Sequence, residues 1–172
     1  NSQSSAIGLY AYNANNGNFD TNVYASSFND NTSSGIGGEA FGLMGVNNGS
    51  GSFTVRADSS EFNNNTVSEN ADRAFGLYAW NNSTGNYLIS VTNSEFNSNS
   101  SYGFYARNDS TGTMRVTSLY GSSASDNGYY GFYTRAEYPG YMTANLEGIS
   151  GSSNGLGLSD SNGNVTDRKS VV

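Results

Sequence analysis

The stretch AFGLMGVNNGSGSFTVRADSSEFNNN at residues 40–65 returns 34 positions later as AFGLYAWNNSTGNYLISVTNSEFNSN at residues 74–99. A chain built from near-copies of one short unit has few folding options. One unit is too small to bury its own apolar face, so the copies must stack. A glycine between large apolar residues marks each copy, at Gly8, Gly42, Gly76, Gly103, Gly131 and Gly157, with spacings of 34, 34, 27, 28 and 26. These periods predict a solenoid with repeat units starting near residues 6, 40, 74, 101, 129 and 155, in one domain spanning 1–172.

Within each unit apolar and polar residues alternate with period two, the signature of a strand. On the first strand, alternation predicts that Ile7, Leu9 and Ala11 point inward, while Gly8, Tyr10 and Tyr12 point outward. The inward set continues as Phe41 and Leu43, Phe75 and Leu77, Tyr102 and Phe104, Tyr130 and Phe132, and Leu156 and Leu158. A second strand follows a glycine-containing turn and supplies three more inward columns. These are Phe19, Phe53, Tyr87, Met114 and Met142; Thr21, Val55, Ile89, Val116 and Ala144; and Val23, Ala57, Val91, Ser118 and Leu146. A third, shorter strand brings in Phe28, Phe62, Phe96 and Ala124.

Asparagine recurs at two corners, as Asn13, Asn47, Asn81 and Asn108, and as Asn31, Asn65, Asn99 and Asn127. Asparagine tolerates the left-handed backbone of sharp corners. Stacked side-chain amides also hydrogen-bond to their equivalents above and below, so both columns are expected to be structural ladders. Three short strands and three corners in 26–34 residues describe one turn of a parallel β-helix. About six such turns, each near 4.8 Å from the next, make a rod of roughly 25–30 Å. The longer turns need only larger corner loops, DNTSSGIGGE and NNTVSENADR. No segment carries helical periodicity over ten residues.

The recurring SxF-N-x-N…GFYA unit resembles the right-handed parallel β-helix proteins of the pectin-lyase-like superfamily. The resemblance covers nearly the whole chain and implies an all-β fold and its right-handedness. Proteins of that fold serve as polysaccharide lyases and hydrolases, phage tailspikes and secreted adhesins, so it implies several functions at once.

Composition narrows them. The net charge of −7 and pI near 4.2 argue against a nucleic-acid partner, which would select a basic surface. There is no cysteine for thiolate or disulfide chemistry, and no histidine, the usual general base near neutral pH. No apolar run approaches the ~20 residues of a membrane span. Low charge and many Asn, Ser and Thr suggest disorder, but aromatics at 13% argue for ordered β-structure.

Enzymes of this resemblance cluster their acids to bind calcium or to pair two carboxylates. Here the acids are scattered. The best stack is Glu61 with Glu95, near Asp58; it is a weak metal candidate, and two solvated strand-end carboxylates are the expected reading. Arg107 and Arg135 also stack, with no acid column evident beside them. No catalytic residue and no cofactor are expected, with a polysaccharide lyase or hydrolase as the minority reading.

The outward side of the first strand is unusual. Tyr10, Met44, Tyr78, Tyr105, Tyr133 and Ser159 form one column, and Tyr12, Val46, Trp80, Arg107 and Arg135 its neighbour. With the glycine column beside them, they predict a shallow groove edged by an aromatic and arginine stripe. Tyrosine and tryptophan suit strands in any case. A contiguous exposed aromatic surface also marks a contact site, so Tyr10, Tyr12, Tyr78, Trp80, Tyr105, Arg107, Tyr133 and Arg135 are the candidate lateral interface or glycan site.

No capping helix precedes residue 6 or follows residue 158, and Val172 aligns with Ile149, so the repeat register closes on itself. The expectation is either a piece of a longer β-helix or a subunit that stacks head to tail through Ile7, Leu9, Val165, Val171 and Val172 into a homo-polymer. The expected role is therefore an extracellular or cell-surface structural protein, a filament subunit or adhesin rod segment. The alternative is a carbohydrate-binding or carbohydrate-cleaving β-helix.

Overall fold

The computed structural model describes residues 5–34, 37–68, 73–118, 120–163 and 165–171. Among the described residues its regular structure is nearly all strand: β1 (Ser5–Asn13), β2 (Phe19–Tyr24), β3 (Thr32–Ser33), β4 (Glu39–Asn47), β5 (Phe53–Asp58), β6 (Thr66–Val67), β7 (Ala74–Asn81), β8 (Tyr87–Thr92), β9 (Tyr102–Asn108), β10 (Thr113–Ser118), β11 (Tyr130–Ala136), β12 (Tyr141–Ile149), β13 (Gly157–Gly163) and β14 (Val165–Val171). They form two six-stranded sheets, ordered β1-β4-β7-β9-β11-β13 and β14-β12-β10-β8-β5-β2, and a two-stranded pair β3-β6. Every pairing is parallel, and each strand pairs with its equivalent in the neighbouring repeat, as Leu43 with Leu77 and Val55 with Ile89. This is consistent with a β-solenoid. No helix among the described residues is long and apolar enough to cross a membrane.

The second-strand columns are the core as expected. Phe53, Tyr87, Met114 and Met142 are fully buried, and so are Val55, Ile89, Val91 and Leu146. Phe62, Phe96 and Ala124 close the same cluster from the third side, with Phe28, Phe62 and Phe96 ring-stacked at 5.5 and 5.1 Å. The expected third strand is shorter than a strand: single parallel bridges run Ser27, Glu61, Glu95, Ser123, Ser150. Ser118 departs from its column, pairing with Ser90 after a register shift.

The first strand departs from simple alternation. Leu43, Leu77, Phe104 and Phe132 enter the core, but Phe41 and Phe75 join a separate outer cluster with Tyr105, Met44, Tyr78, Tyr102 and Tyr133. The phase flips at the glycine. A Cβ on Gly42 would lie 2.6 Å from the Gly76 carbonyl oxygen and 2.8 Å from that of Phe28, so Gly42 turns inward against the third side just before inward Leu43. The expected inward column Ile7, Phe41, Phe75, Tyr102, Tyr130 is therefore outward, and the expected outward glycine groove is an interior contact. Only glycine lets the third side approach this closely.

Both asparagine ladders form. Nδ2 of Asn13, Asn47 and Asn81 donates to Oδ1 of the next member at 3.0 Å in each case. In the second ladder Asn31, Asn65 and Asn99 donate onward at 2.7, 2.8 and 3.0 Å. That ladder extends one step further, from Asn127 to Asn154 at 2.8 Å. The left-handed residue of that corner is the one before the ladder asparagine: Asp30, Asn64, Ser98, Asp126 and Ser153 have φ of 60, 56, 57, 58 and 59°. The ladder residues themselves work through their amides.

At the C-terminal side, Ile149 pairs with Val171 after a register shift, so Val171, and not Val172, takes the expected position. Val165 pairs with Met142, and Val172 lies outside the described residues. Tyr130 pairs with Gly157 and Tyr133 with Asp160, so Asp160 replaces Ser159 at the end of the tyrosine column.

Candidate functional site: the outer aromatic face

The outer face of the β1-β4-β7-β9-β11-β13 sheet collects most of the expected site residues. Three outward positions per strand line up across it, because parallel in-register pairing places equivalent side chains about 4.8 Å apart. The column beside the inward glycine is a stack of rings: Phe41 on Phe75 at 5.4 Å and 7°, and Phe75 on Tyr102 at 5.5 Å and 6°. The next is the tyrosine column, with Tyr78 on Tyr105 at 5.4 Å and Tyr105 on Tyr133 at 5.2 Å. The two columns interlock edge to face, as Phe75 with Tyr105 and Tyr102 with Tyr105. Such pairs each contribute about 0.5–1.5 kcal/mol beyond the area they bury.

Interlocking buries part of the stripe. Tyr105 keeps only 7% exposure, which corrects its place in an exposed stripe. Tyr78, Tyr133, Trp80, Arg107 and Arg135 are half-buried. Tyr10 and Tyr12 are exposed and stack on each other at 5.8 Å. Burial pushes the phenol pKa of Tyr78 well above its usual value, with Arg107 opposing. Burial raises Tyr105 likewise, against Arg107 and a hydrogen bond from Arg135.

The arginines have acids beside them after all. Nε of Arg107 donates to Asp109 at 2.8 Å, its Nη2 lies 3.7 Å from Glu137, and Arg135 pairs with Glu137. Burial works against the charge on Arg107, but Asp109 outweighs it and its pKa is raised. Asp109 also accepts from Trp80 Nε1 at 3.0 Å, and the Arg107 guanidinium lies 5.9 Å from the Trp80 ring centroid. The signal was present in the sequence: both arginines precede an acid by two positions, RND at 107–109 and RAE at 135–137. Two residues along a strand is the same face.

An open recess of about 320 Å³ lies on this face, lined by Phe41, Met44, Phe75, Tyr78, Trp80 and Arg107, with Arg73 and Glu39 at its rim. Arg73 pairs with Glu39 at 3.2 Å. Met44, which stands where the neighbouring strands carry tyrosine, forms part of the recess wall. One face of Tyr78 is covered by Tyr105, and Arg107 lies over the Trp80 ring, so few free ring faces remain.

Glu61 and Glu95 are brought together by parallel bridges, as the repeat required. Glu61 accepts from Ser27 at 3.0 Å and Asn29 at 2.9 Å, and Glu95 from Asn97 at 3.4 Å. Asp58 instead accepts from Thr92 at 2.7 Å and Asn93 at 3.2 Å, and these hydrogen bonds lower its pKa. No third acidic ligand joins Glu61 and Glu95 among the described residues. The assembly candidates Ile7 and Leu9 sit on edge strand β1, Ile7 exposed and Leu9 packed partly on the core. Phe19 on β2, whose column-mates are fully buried, is 40% exposed there.

No known family, no curated protein and no solved structure matches this chain.

Proposed function

We propose that the protein is a right-handed parallel β-helix of about six turns, and that it acts as a structural subunit of an extracellular or surface filament, stacking head to tail. One observation carries this reading. At the β1–β2 edge the core column of Phe53 and the outer ring column of Phe41 both run on to the surface, leaving Phe19 and Ile7 exposed where their equivalents are buried. Exposed edge strands with apolar side chains template further pairing, and a β13–β14 edge of a second copy continues the same register. A contact between unlike edges propagates without closing.

The test is sedimentation and electron microscopy of the natural-length protein over a wide concentration range. Elongated particles whose growth is blocked by Phe19→Lys support the reading. A natural-length protein that stays monomeric at high concentration, with ordered ends, sinks it. A longer natural chain whose own next turn covers Phe19 sinks it as well.

A second reading rests on the recess between Met44 and Trp80. A carbohydrate ring would lie against Tyr78 and Trp80 with Arg73 and Arg107 toward its hydroxyls. Trp80→Ala separates the two: loss of glycan binding with assembly intact favours the second reading, and loss of assembly alone favours the first.

A further inference from the structure

We infer that the outer tyrosine cluster is a site of oxidative cross-linking, in which a one-electron oxidant joins Tyr105 to Tyr133 and covalently ties β9 to β11. The inference stands on the aromatic face alone and is independent of how the rod assembles.

Four observations bring it together. Tyr105 and Tyr133 are stacked across two strands at 5.2 Å with 29° between ring planes, and 28 residues separate them in the chain. Tyr130 stacks on Tyr133 at 5.4 Å, and Tyr78 on Tyr105 at 5.4 Å, so ring-to-ring contact runs unbroken from partly exposed Tyr130 through Tyr133 to buried Tyr105. Tyr130 is partly exposed, and its hydroxyl is hydrogen-bonded to the Asp160 carboxylate. A phenol loses an electron far more readily when a base takes its proton in the same event, and Asp160 is that base. At the other end, Arg135 donates a hydrogen bond to the Tyr105 oxygen and partly offsets the burial that raises its pKa.

The chemistry balances with a peroxide as terminal oxidant and a haem peroxidase as catalyst. Oxidation at Tyr130 sends one electron to the oxidant and one proton to Asp160. The electron hole then moves ring to ring through contacts of about 5–6 Å to Tyr133 and Tyr105; Tyr130 takes its proton back from Asp160, and Tyr133 and Tyr105 each release a phenol proton, finally to water. Two such oxidations leave phenoxyl radicals on Tyr105 and Tyr133. Their ortho carbons couple, one C–C bond forms, and the two ortho hydrogens shift to the oxygens to restore both phenols. Overall two hydrogen atoms leave the protein and one hydrogen peroxide becomes two waters.

The folded protein is treated with horseradish peroxidase and hydrogen peroxide at a dilution where molecules do not meet. The expected product is a monomer lighter by two hydrogens, with dityrosine fluorescence. Its digest contains one linked peptide pair carrying Tyr105 and Tyr133. Tyr105→Phe loses that product, while Tyr138→Phe, at a highly exposed tyrosine off the face, keeps it. Circular dichroism of Tyr105→Phe verifies that the sheet is retained. Tyr133→Phe is the second variant and must lose the same product. The inference is overturned if dityrosine appears only between molecules, if the linked pair maps elsewhere, including to Tyr130–Tyr133 on one strand, or if no monomeric product forms.

Discussion

Gly45 and Tyr87 share a single problem in the core. The column Ala11, Gly45, Ala79, Ala106 takes small residues on its inward side, and Gly45 is the smallest. A Cβ there would lie 2.2 Å from the Tyr87 hydroxyl oxygen, 3.3 Å from Val55 Cγ2 and 3.5 Å from Tyr87 Cζ. The glycine thus makes room for one oxygen. That oxygen is buried and has no hydrogen-bond partner, an arrangement that costs about 1–3 kcal/mol. Tyr87→Phe is therefore expected to raise stability by about 1 kcal/mol. Gly45→Ala in the native background is expected to cost about 1–3 kcal/mol through overpacking. In the Tyr87→Phe background most of that cost is removed, because the hydroxyl clash is gone, Val55 Cγ2 at 3.3 Å need yield only slightly, and alanine leaves the unfolded chain less freedom to lose on folding than glycine does. Denaturant unfolding of the four proteins measures the coupling. Additive effects would show that the hydroxyl is not what keeps residue 45 a glycine.

At the scale of the element, the asparagine ladders hold the corners. The Asn99 side chain makes four hydrogen bonds. Its Oδ1 accepts from Asn65 Nδ2 at 2.8 Å and Asn65 N at 3.1 Å, and its Nδ2 donates to Phe62 O and Asn127 Oδ1, each at 3.0 Å. Asn99→Ala leaves a buried backbone N–H and two carbonyl oxygens without these partners, and is expected to cost on the order of 3 kcal/mol. Asn13→Ala, at the β1 end of the other ladder, loses donations to Gly17 and Asn47 and a long bond from Asn15 N, has no ladder neighbour donating to it, and is expected to cost less, about 1–2 kcal/mol. Equal costs, read from urea midpoints, would contradict the number of stranded ladder partners as the reason. Asn99→Asp adds a sign. The carboxylate would face the Asn127 and Phe62 oxygens, so its pKa in the fold rises above the unfolded ~3.9. Its variant should be most stable below that pH and lose stability as pH rises.

These elements also mark how far the sequence could be read. The ladders and second-strand columns were legible because equivalent side chains recur at fixed offsets and parallel pairing preserves the offset. The inward turn at Gly42 was not, because alternation assumes a straight strand and the phase flips where the third side presses on the glycine. Phe41, Phe75, Tyr102 and Tyr130 then moved to the outer face together. The Arg107–Asp109 and Arg135–Glu137 pairs were legible in principle, two residues apart on one face. They run along the strand, so no column of like residues across the repeats reveals them.

On the scale of the whole molecule, the tyrosines report how tightly the stacked repeats exclude water. Burial raises the pKa of Tyr78, Tyr87 and Tyr105 in the folded protein, while Tyr24 and Tyr138 are exposed. Alkaline titration followed by ultraviolet difference absorbance should have two phases, one that leaves the sheet intact and a later one in which the buried set ionises only with unfolding. Between these, the folded state holds protons that the unfolded state has lost, so stability is complete below about pH 10 and falls as pH rises above it. One fully buried phenol contributes a slope of about 1.4 kcal/mol per pH unit in that window. Tyr87→Phe should remove that slope while leaving the first phase intact. A single phase with reversible ionisation of every tyrosine and no loss of sheet signal would mean that the core around Tyr87 opens without the repeats separating. The cooperativity assigned here to stacked columns would then be wrong.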